Sequence, residues 1–378
     1  MKHEFHAQYA FALKDSTTQA FALDWLVGKS TRAPHRWSEI RELGSGADDF
    51  AHLMVLSQAI ATGYKDQARV GGRRDPGGLY YWIRHKSRAW LRERMNFMRN
   101  VLELETNSLL FPFLPDLSTF PPGSWAVRIT FTLKKPYISK DDTVFYILDN
   151  PVKKEWVFKV PYVAPSQWKG VLRAVMVRQL VEWWEGLNDG DREPEAFARR
   201  RFRLFILFGD EKGEEPGSVK GLAAYLDKVG GREAAEHFRR IIREHFRVPE
   251  NKPIPHFSGR LHFYPAFFDR IGLEVINPHA RNTGAGKNPI YFECVPAGAP
   301  GVFTLLYVPL DAGPKDEDTI KADLAAVARG IKAMITEYGF GAKTSSGYGV
   351  ADVKRNDVKI HANGIENADE VFRNGWEE

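Results

Sequence analysis

From 125 to 133 the chain alternates. Trp125, Val127, Ile129, Phe131 and Leu133 are apolar, and Ala126, Arg128, Thr130 and Thr132 lie between them. A two-residue period puts the first set on the buried face of a β-strand, which Lys134-Lys-Pro136 ends. The period then lengthens. After Ser166, which stands where a helix N-cap belongs, Leu172, Val175, Met176, Gln179 or Leu180, and Trp183 recur at helical spacing. Farther on, Ile320, Leu324, Val327, Ile331, Met334, Ile335 and Tyr338 do the same, with Gly339 placed as the residue that ends the helix. Between these helices strand patterns return at 259–268, 272–276, 290–296 and 302–308, and a short one follows at 348–353. Strand, helix, helical insertion, strands, helix, strand is the order of an α+β fold with an antiparallel sheet. The simplest arrangement using every piece is a ferredoxin-like (RNA-recognition-motif-like) βαββαβ core with helical insertions.

The N-terminal part reads differently. Residues 1–115 are mostly helical in pattern, with an apolar run at 50–61, a break at Gly71-Gly-Arg-Arg-Asp-Pro-Gly-Gly78, and a helix expected over 81–104. Ile83, Trp90, Leu91, Met98 and Leu102 make one face of that helix, and Arg84, Arg88 and Arg92 stripe another. The proline-rich stretch 111–123 marks a boundary. The core domain is then expected at 124–360, with a helical insertion at about 185–250 and a polar, loosely held tail at 361–378. Residues 185–195 read as linker, and residues 218–246 as helices of mixed charge.

Composition changes this picture little, and charge somewhat more. The 378 residues are 43% hydrophobic and 27% charged, with a net charge of +5. That is an ordinary globular balance that permits nucleic acid without requiring it. The base is unevenly placed: residues 64–100 carry ten Lys/Arg against Asp66, Asp75 and Glu93. An arginine stripe on a helix is most simply a solvated face, and otherwise a track for phosphates or an acidic partner. The cluster Arg199-Arg-Arg-Phe-Arg203 allows the same readings. A single cysteine, Cys294, excludes an internal disulfide and any multi-cysteine zinc site. His256, His262 and His279 lack a tight ligand spacing, so no structural metal is expected. No apolar run is long enough to span a membrane, and the N-terminus lacks a signal-peptide pattern. A cytoplasmic protein without a membrane partner is expected.

Candidate chemistry gathers in Tyr338-Gly-Phe-Gly-Ala-Lys-Thr-Ser-Ser-Gly-Tyr-Gly-Val350. Gly341 and Gly347 bracket Lys343, Thr344, Ser345 and Ser346. Exposed backbone N–H groups, an ammonium and hydroxyls are what phosphate oxygens bind. The loop follows its helix and lacks the GxxxxGK[ST] order, so it is not a P-loop. It is either a glycine-rich hairpin or an anion-binding loop for a polyphosphate chain. Lys169 and Arg173, four apart on one helix face, are either a solvated pair or phosphate contacts. Asp149-Asn-Pro151, followed by Lys153, reads on composition as a turn. Asp141 and Asp142 are acidic neighbours of it. Arg281 and Lys287, near Gly284 and Gly286, read as a basic loop. Trp168 reads as core before base stacking, and Gly170 as a residue admitting close helix–sheet packing.

Several stretches together resemble the RAMP superfamily of CRISPR effector proteins. The loop Gly339-Phe-Gly-Ala-Lys-Thr-Ser-Ser-Gly-Tyr-Gly349 is similar to its C-terminal signature. Asp149-Asn-Pro-Val152 and Pro161-Tyr-Val-Ala-Pro-Ser-Gln-Trp-Lys-Gly-Val-Leu-Arg173 resemble two elements of the backbone subunits of type III complexes. Leu207-Phe-Gly209 is similar to the family's LFG turn, and Asn277-Pro-His279 with Asn288-Pro-Ile-Tyr-Phe292 to a weaker pattern. Ala164, Pro165, Gln167 and Trp168 depart from the family pattern, which bears on the subunit type. The resemblance implies a ferredoxin-like subunit that packs beside other RAMP-type subunits. It would hold a CRISPR guide RNA for pairing with target RNA, with Asp149 cutting the target strand using Mg2+ or another divalent cation. Three other readings compete: a stand-alone endoribonuclease that processes repeat RNA by metal-free acid–base chemistry, a non-catalytic capping or bridging subunit, and an unrelated nucleotide-binding enzyme.

Overall fold

The computed structural model describes residues 83–84, 87–101, 114–141, 148, 150–211, 221–278, 289–311 and 316–377. The 125–133 alternation is strand β1 (Trp125–Leu133). Its five odd-numbered residues are all buried, whereas Arg128 and Thr130 are half-buried and Thr132 is exposed. Helix α1 (Ser87–Val101) precedes it. After it come β2 (Tyr162–Val163), α2 (Pro165–Glu185), α3 (Pro194–Phe208) and α4 (Leu222–Phe246). Then follow β3 (Leu261–Phe263), β4 (Ala266–Phe267), β5 (Gly272–Ile276), β6 (Ile290–Cys294) and β7 (Pro300–Tyr307). Helix α5 (Glu317–Ala333), β8 (Ala351–Asp352), β9 (Val358–Ala362) and α6 (Ala368–Glu377) complete the chain.

The main sheet runs β3-β7-β1-β8, with β9 also on the β8 edge of β1, and every pairing is antiparallel. Helices α2 and α5 cover one face, where Trp125, Val127, Ile129 and Phe131 meet Trp168, Leu172, Leu324 and Ile331 in one core. The close helix contact is made at Gly330 of α5, where a Cβ would lie 2.7 Å from the Met176 side chain. The packing role expected of Gly170 does not hold. A Cβ there would meet nothing within 4 Å, because Gly170 faces outward. Two smaller two-stranded sheets, β2 with β4 and β5 with β6, stand apart from the main sheet.

Some local expectations are corrected. The N-cap of α2 is Ala164, with Pro165 in the first turn where its missing N–H costs nothing, so Ser166 is already helical. Residues 185–195 hold a short 3-10 turn, Asp189–Asp191, and the start of α3. The end of the chain is not loosely held. Phe372 of α6 is fully buried, and Gly375 lets the helix approach the Ala325 backbone of α5.

Charge inside the fold is paired. Arg201, one of the Arg199–Arg203 cluster, is buried against Glu211 at 2.6 Å and Asp227 at 2.6 Å. Arg260 is buried beside Asp311 at 2.8 Å and donates to the Tyr307 hydroxyl, also at 2.8 Å. Tyr307 in turn donates to Asp323 at 3.0 Å. Burial pushes the Asp323 carboxyl up to about 6, against the pull of Arg203 and Arg260. Between the ordinary carboxyl value and about 6, the folded state therefore binds the extra proton. This group's contribution to stability falls as pH rises through that window. In urea unfolding from about pH 4 to about pH 6, the wild type should lose stability relative to Asp323→Asn. Parallel pH profiles would remove Asp323 as the cause.

Candidate nucleic-acid interface

Helix α5 ends in a π-helical turn, Met334–Tyr338, and Gly339 leaves it at φ 74°, ψ 174°, a conformation that suits glycine. The loop then folds back on itself. Phe340 N–H donates to Gly349 O at 3.3 Å, Ala342 N–H to Ile138 O at 2.7 Å, and Gly349 N–H to Pro136 O at 3.0 Å. Phe340 is fully buried, its ring 4.5 Å from Trp168, 5.5 Å from Phe131 and 5.6 Å from Tyr137. Trp168 is therefore core, as expected. The Tyr348 hydroxyl donates to Glu274 at 3.0 Å, tying the loop to β5. Burial and the Glu274 carboxylate push that phenol up to about 12.

Both ends of the loop are thus anchored, and its crest projects. Lys343, Ser345 and Ser346 are exposed, and Thr344 is half-exposed. Lys343 holds φ 59°, uncommon for a residue with a Cβ, with its ammonium 5.3 Å from the Phe292 ring centre. Lys135 donates to Ser346 O at 3.3 Å, adding a second cation at the crest that sequence reading passed over. The hairpin and anion-loop readings of this stretch are compatible: the glycines serve the fold and the crest carries the polar groups.

The crest faces α2 across a groove of about 470 Å³. Gly170, Ala174 and Arg178 form the α2 wall, and Gly341, Thr344 and Ser345 the loop wall. A second space of about 620 Å³ continues along the same α2 face, through Arg173 and Ala174, to Leu222 and Tyr225 of α4. Small residues on α2 leave its backbone open to close approach, and Arg178, which lies 4.7 Å from the Tyr338 ring centre, was not read from the sequence.

The basic pair on α2 is partly committed to the fold. Arg173 donates to Gly209 O at 3.0 Å and to Asp210 O, which pins the Leu207-Phe-Gly209 turn. Lys169 donates to Ser258 O at 2.9 Å. Burial, and next the Arg173 charge, hold its ammonium below the usual lysine value. The LFG turn is explained by sterics. At Gly209, φ 82°, a Cβ would lie 2.3 Å from Phe257 O, and at Gly259, φ 86°, 2.5 Å from the Phe208 backbone.

Asp149 and Asp142 lie outside the described residues, as do Arg281, Lys287 and His279. The flanks of Asp149 are held firmly. Leu148 is buried, Asn150 O accepts Glu293 N–H at 3.0 Å, and Pro151 O accepts Asp141 N–H at 3.0 Å. A buried ion pair joins Lys154 to Glu293, whose carboxylate also accepts Val152 N–H at 3.1 Å. Neither partner was singled out in the sequence, where both read as ordinary surface charges. Lys153 is half-exposed, and its carbonyl accepts Tyr162 N–H at 3.2 Å. The next turn displays Trp156, 80% exposed. Glu155 braces that turn by accepting Val157 N–H at 2.7 Å and Phe158 N–H at 2.6 Å. Arg88 and Arg92 lie exposed on α1, and Arg84 is exposed just before it. This helix packs Met95 and Met98 on Val160 and Phe267, away from the glycine groove. Among the described residues, no group of three His, Cys, Asp or Glu could hold a metal, and no helix is long and apolar enough to cross a membrane.

The family model of the RAMP superfamily matches residues 121–352, more than half of the chain, and the chain belongs to that superfamily. No curated protein matches it. Among solved structures it is similar to a chain of the type III-B Cmr-beta complex bound to cognate target RNA. That likeness has 13% identity over 95% of this chain and 98% of the other, with a TM-score of 0.38. It is also similar to a chain of a CRISPR RNA-guided surveillance complex in a pre-nicking state, at 12% identity over 60% and 76%, TM-score 0.31. A third similarity is to Cmr6 from Pyrococcus furiosus, at 19% identity over 61% and 99%, TM-score 0.27.

Proposed function

We propose that this chain is a guide-RNA-binding subunit of a type III CRISPR effector complex, and that it holds the guide in the groove between α2 and the glycine loop. The observation that carries this reading is convergence. The stretch beginning at Pro161, which resembles an element of type III backbone subunits, and the loop beginning at Gly339, which is similar to the superfamily's C-terminal signature, form the two walls of a single groove. Superfamily membership supports it. So does the strand order β3-β7-β1-β8/β9, with α2 and α5 on one face, which is the order of a ferredoxin-like core. The chemistry suits a phosphate backbone. Arg178, which also pairs with Glu182 at 2.7 Å, brings charge to the groove wall and Lys343 brings it to the exposed crest beside the groove; Thr344 and Ser345 supply hydroxyls, Gly170 lets a strand approach the helix closely, and Glu337 is the one acid among the described lining residues.

The test is to purify the protein from a host carrying a matching CRISPR array and to sequence the bound RNA. Short RNAs with repeat-derived ends are expected. Lys343→Ala should weaken RNA binding and flatten its salt dependence. Gly170→Ala should stabilise the protein by up to about 1 kcal/mol, since alanine is the better helix former and nothing crowds it. The same substitution should weaken RNA binding, because a methyl group would narrow the groove. Protein that carries no RNA and shows no salt-sensitive RNA binding would overturn the reading.

Target-strand cleavage by Asp149 is the finer part of this proposal. The divalent cation that this reading calls for would be met by the Asp149 carboxylate, which lies outside the described residues. What supports a role is the bracing of residues 150–154 against β6, which fixes the chain next to Asp149. In the assembled complex, Asp149→Asn should leave guide RNA bound and stop the cutting of a complementary RNA. Continued cutting would return Asp149-Asn150-Pro151 to a plain turn and favour the capping or bridging reading.

A further inference from the structure

The groove between α2 and the glycine loop does not end at Arg178. Gly170, Ala174 and Arg178 line both it and the larger space of about 620 Å³ that reaches α4, so one channel runs along this face of α2. From Gly170 to Val181 it follows about 16 Å of helix. Its two ends differ in chemistry. At the loop end, Thr344 and Ser345 bring hydroxyls. At the α4 end the apolar walls are Val177 and Val181 of α2 and Leu222 and Tyr225 of α4. The charges there are already engaged or acidic. Arg178 pairs with Glu182 at 2.7 Å, Arg173 donates to the Gly209 and Asp210 carbonyls, and Glu185 is a further acid. Two arginines and two glutamates leave this end without net charge among its described lining residues. Tyr225 is nevertheless 48% exposed. The side chains that α4 buries beside it are Ala223 and Leu226, so the tyrosine ring is not spent on the core.

We propose that Tyr225 is a stacking platform for a nucleobase of the RNA held in the groove. This inference rests on the guide-binding reading above and adds to it a residue on a third element. An RNA strand presents two kinds of surface, anionic phosphates and flat, uncharged bases. The hydroxyls at the loop end suit the first. The apolar, electrically neutral end at α4 suits the second, because a base stacked on an aromatic ring buries its faces, keeps its edges in water and needs no cation. Every base has a π-face, so no preference among bases is expected. An apolar peptide segment would find the same walls. Continuity selects RNA instead: a strand that leaves the loop along Gly170 and Ala174, where small side chains keep the channel open, is led to Tyr225.

The experiment measures the binding of a fluorescently labelled single-stranded RNA to the full-length protein over a series of salt concentrations. Tyr225→Ala should weaken binding about fivefold or more, the lower end of what stacking one base contributes. It should leave the salt dependence unchanged, because no phosphate contact is lost. Tyr225→Phe, which keeps the ring, should bind as the wild type does. An RNA of the same length made of abasic residues should bind Tyr225→Ala and the wild type equally, which a variant with a damaged fold would not do. On the wild-type protein, RNA carrying 4-thiouracil should crosslink on irradiation to the peptide that contains Tyr225, read by mass spectrometry, so the result does not depend on a variant folding. If Lys343→Ala weakens RNA binding and Tyr225→Ala does not, the stacking proposal falls and the groove reading stands. An equal loss on normal and abasic RNA would also overturn it. So would a Tyr225→Ala protein that keeps its RNA affinity and loses a protein partner, which would assign this surface to protein docking. A wild type that binds no RNA would remove both readings.

Discussion

Gly349→Ala is expected to lower the stability of the protein by about 4 kcal/mol, enough to compromise folding. Gly349 holds φ 73°, and a Cβ built on it would lie 1.9 Å from Phe340 O and 2.9 Å from the Phe340 C and N atoms. All three are backbone atoms, and Phe340 cannot retreat because its ring fills the aromatic centre of the core. Left-handed backbone accounts for roughly 1–2 kcal/mol of this cost, and the overlap supplies the rest. Gly298 provides the control. It holds φ 78° with nothing within 4 Å of a Cβ, so Gly298→Ala should show the backbone cost alone. Urea unfolding of both variants separates the two contributions. Equal losses would show that the loop relaxes around Gly349, and the crest would then not be rigidly presented.

Lys154→Met is expected to cost about 3–5 kcal/mol, because it leaves the Glu293 carboxylate buried without its cation. The Glu293 side chain is fully buried and that of Lys154 nearly so, at 0% and 4% exposure. The second substitution should recover most of the loss. In Lys154→Met with Glu293→Gln, no charge is stranded, and the amide oxygen still accepts Val152 N–H. A single variant that costs less than about 1 kcal/mol would mean that water reaches Glu293 and that the pair behaves as a surface bridge. The consequence extends to function under the proposed reading, since this pair fastens residues 152–154 to β6 beside Asp149.

Much of the architecture was legible in the chain because burial leaves a periodic trace. The odd-numbered residues of β1 and the helical repeat of α5 appear in the sequence as they stand in the structure. The glycine stretch was legible as a special loop, since four glycines so close together require unusual backbone. Its purpose was not, because what fixes it includes groups distant in the chain: Gly341 is held against Ile138 and Tyr137. The glycine on which packing was argued is not the one that packs. Gly170 sits in open space, while Gly330, unremarked in the sequence, is the one that meets Met176. The ion pair of Lys154 and Glu293 left no pattern at all, since a buried charge and an exposed one read alike until a partner is placed beside it.

By itself the sequence determined the class of fold, because burial leaves a periodic trace, and it showed the superfamily through the resemblance of a few local motifs. Only the tertiary structure decided that the motif beginning at Pro161 and the loop beginning at Gly339 share a groove. It alone showed that Arg173 spends its guanidinium on the carbonyls of Gly209 and Asp210. It alone divided Arg199 and Arg201 of one cluster between a surface pair and a buried network. The physical reason is the same in each case. A charged side chain has no fixed role of its own, and its energy is set by the groups that folding brings within a few ångströms of it.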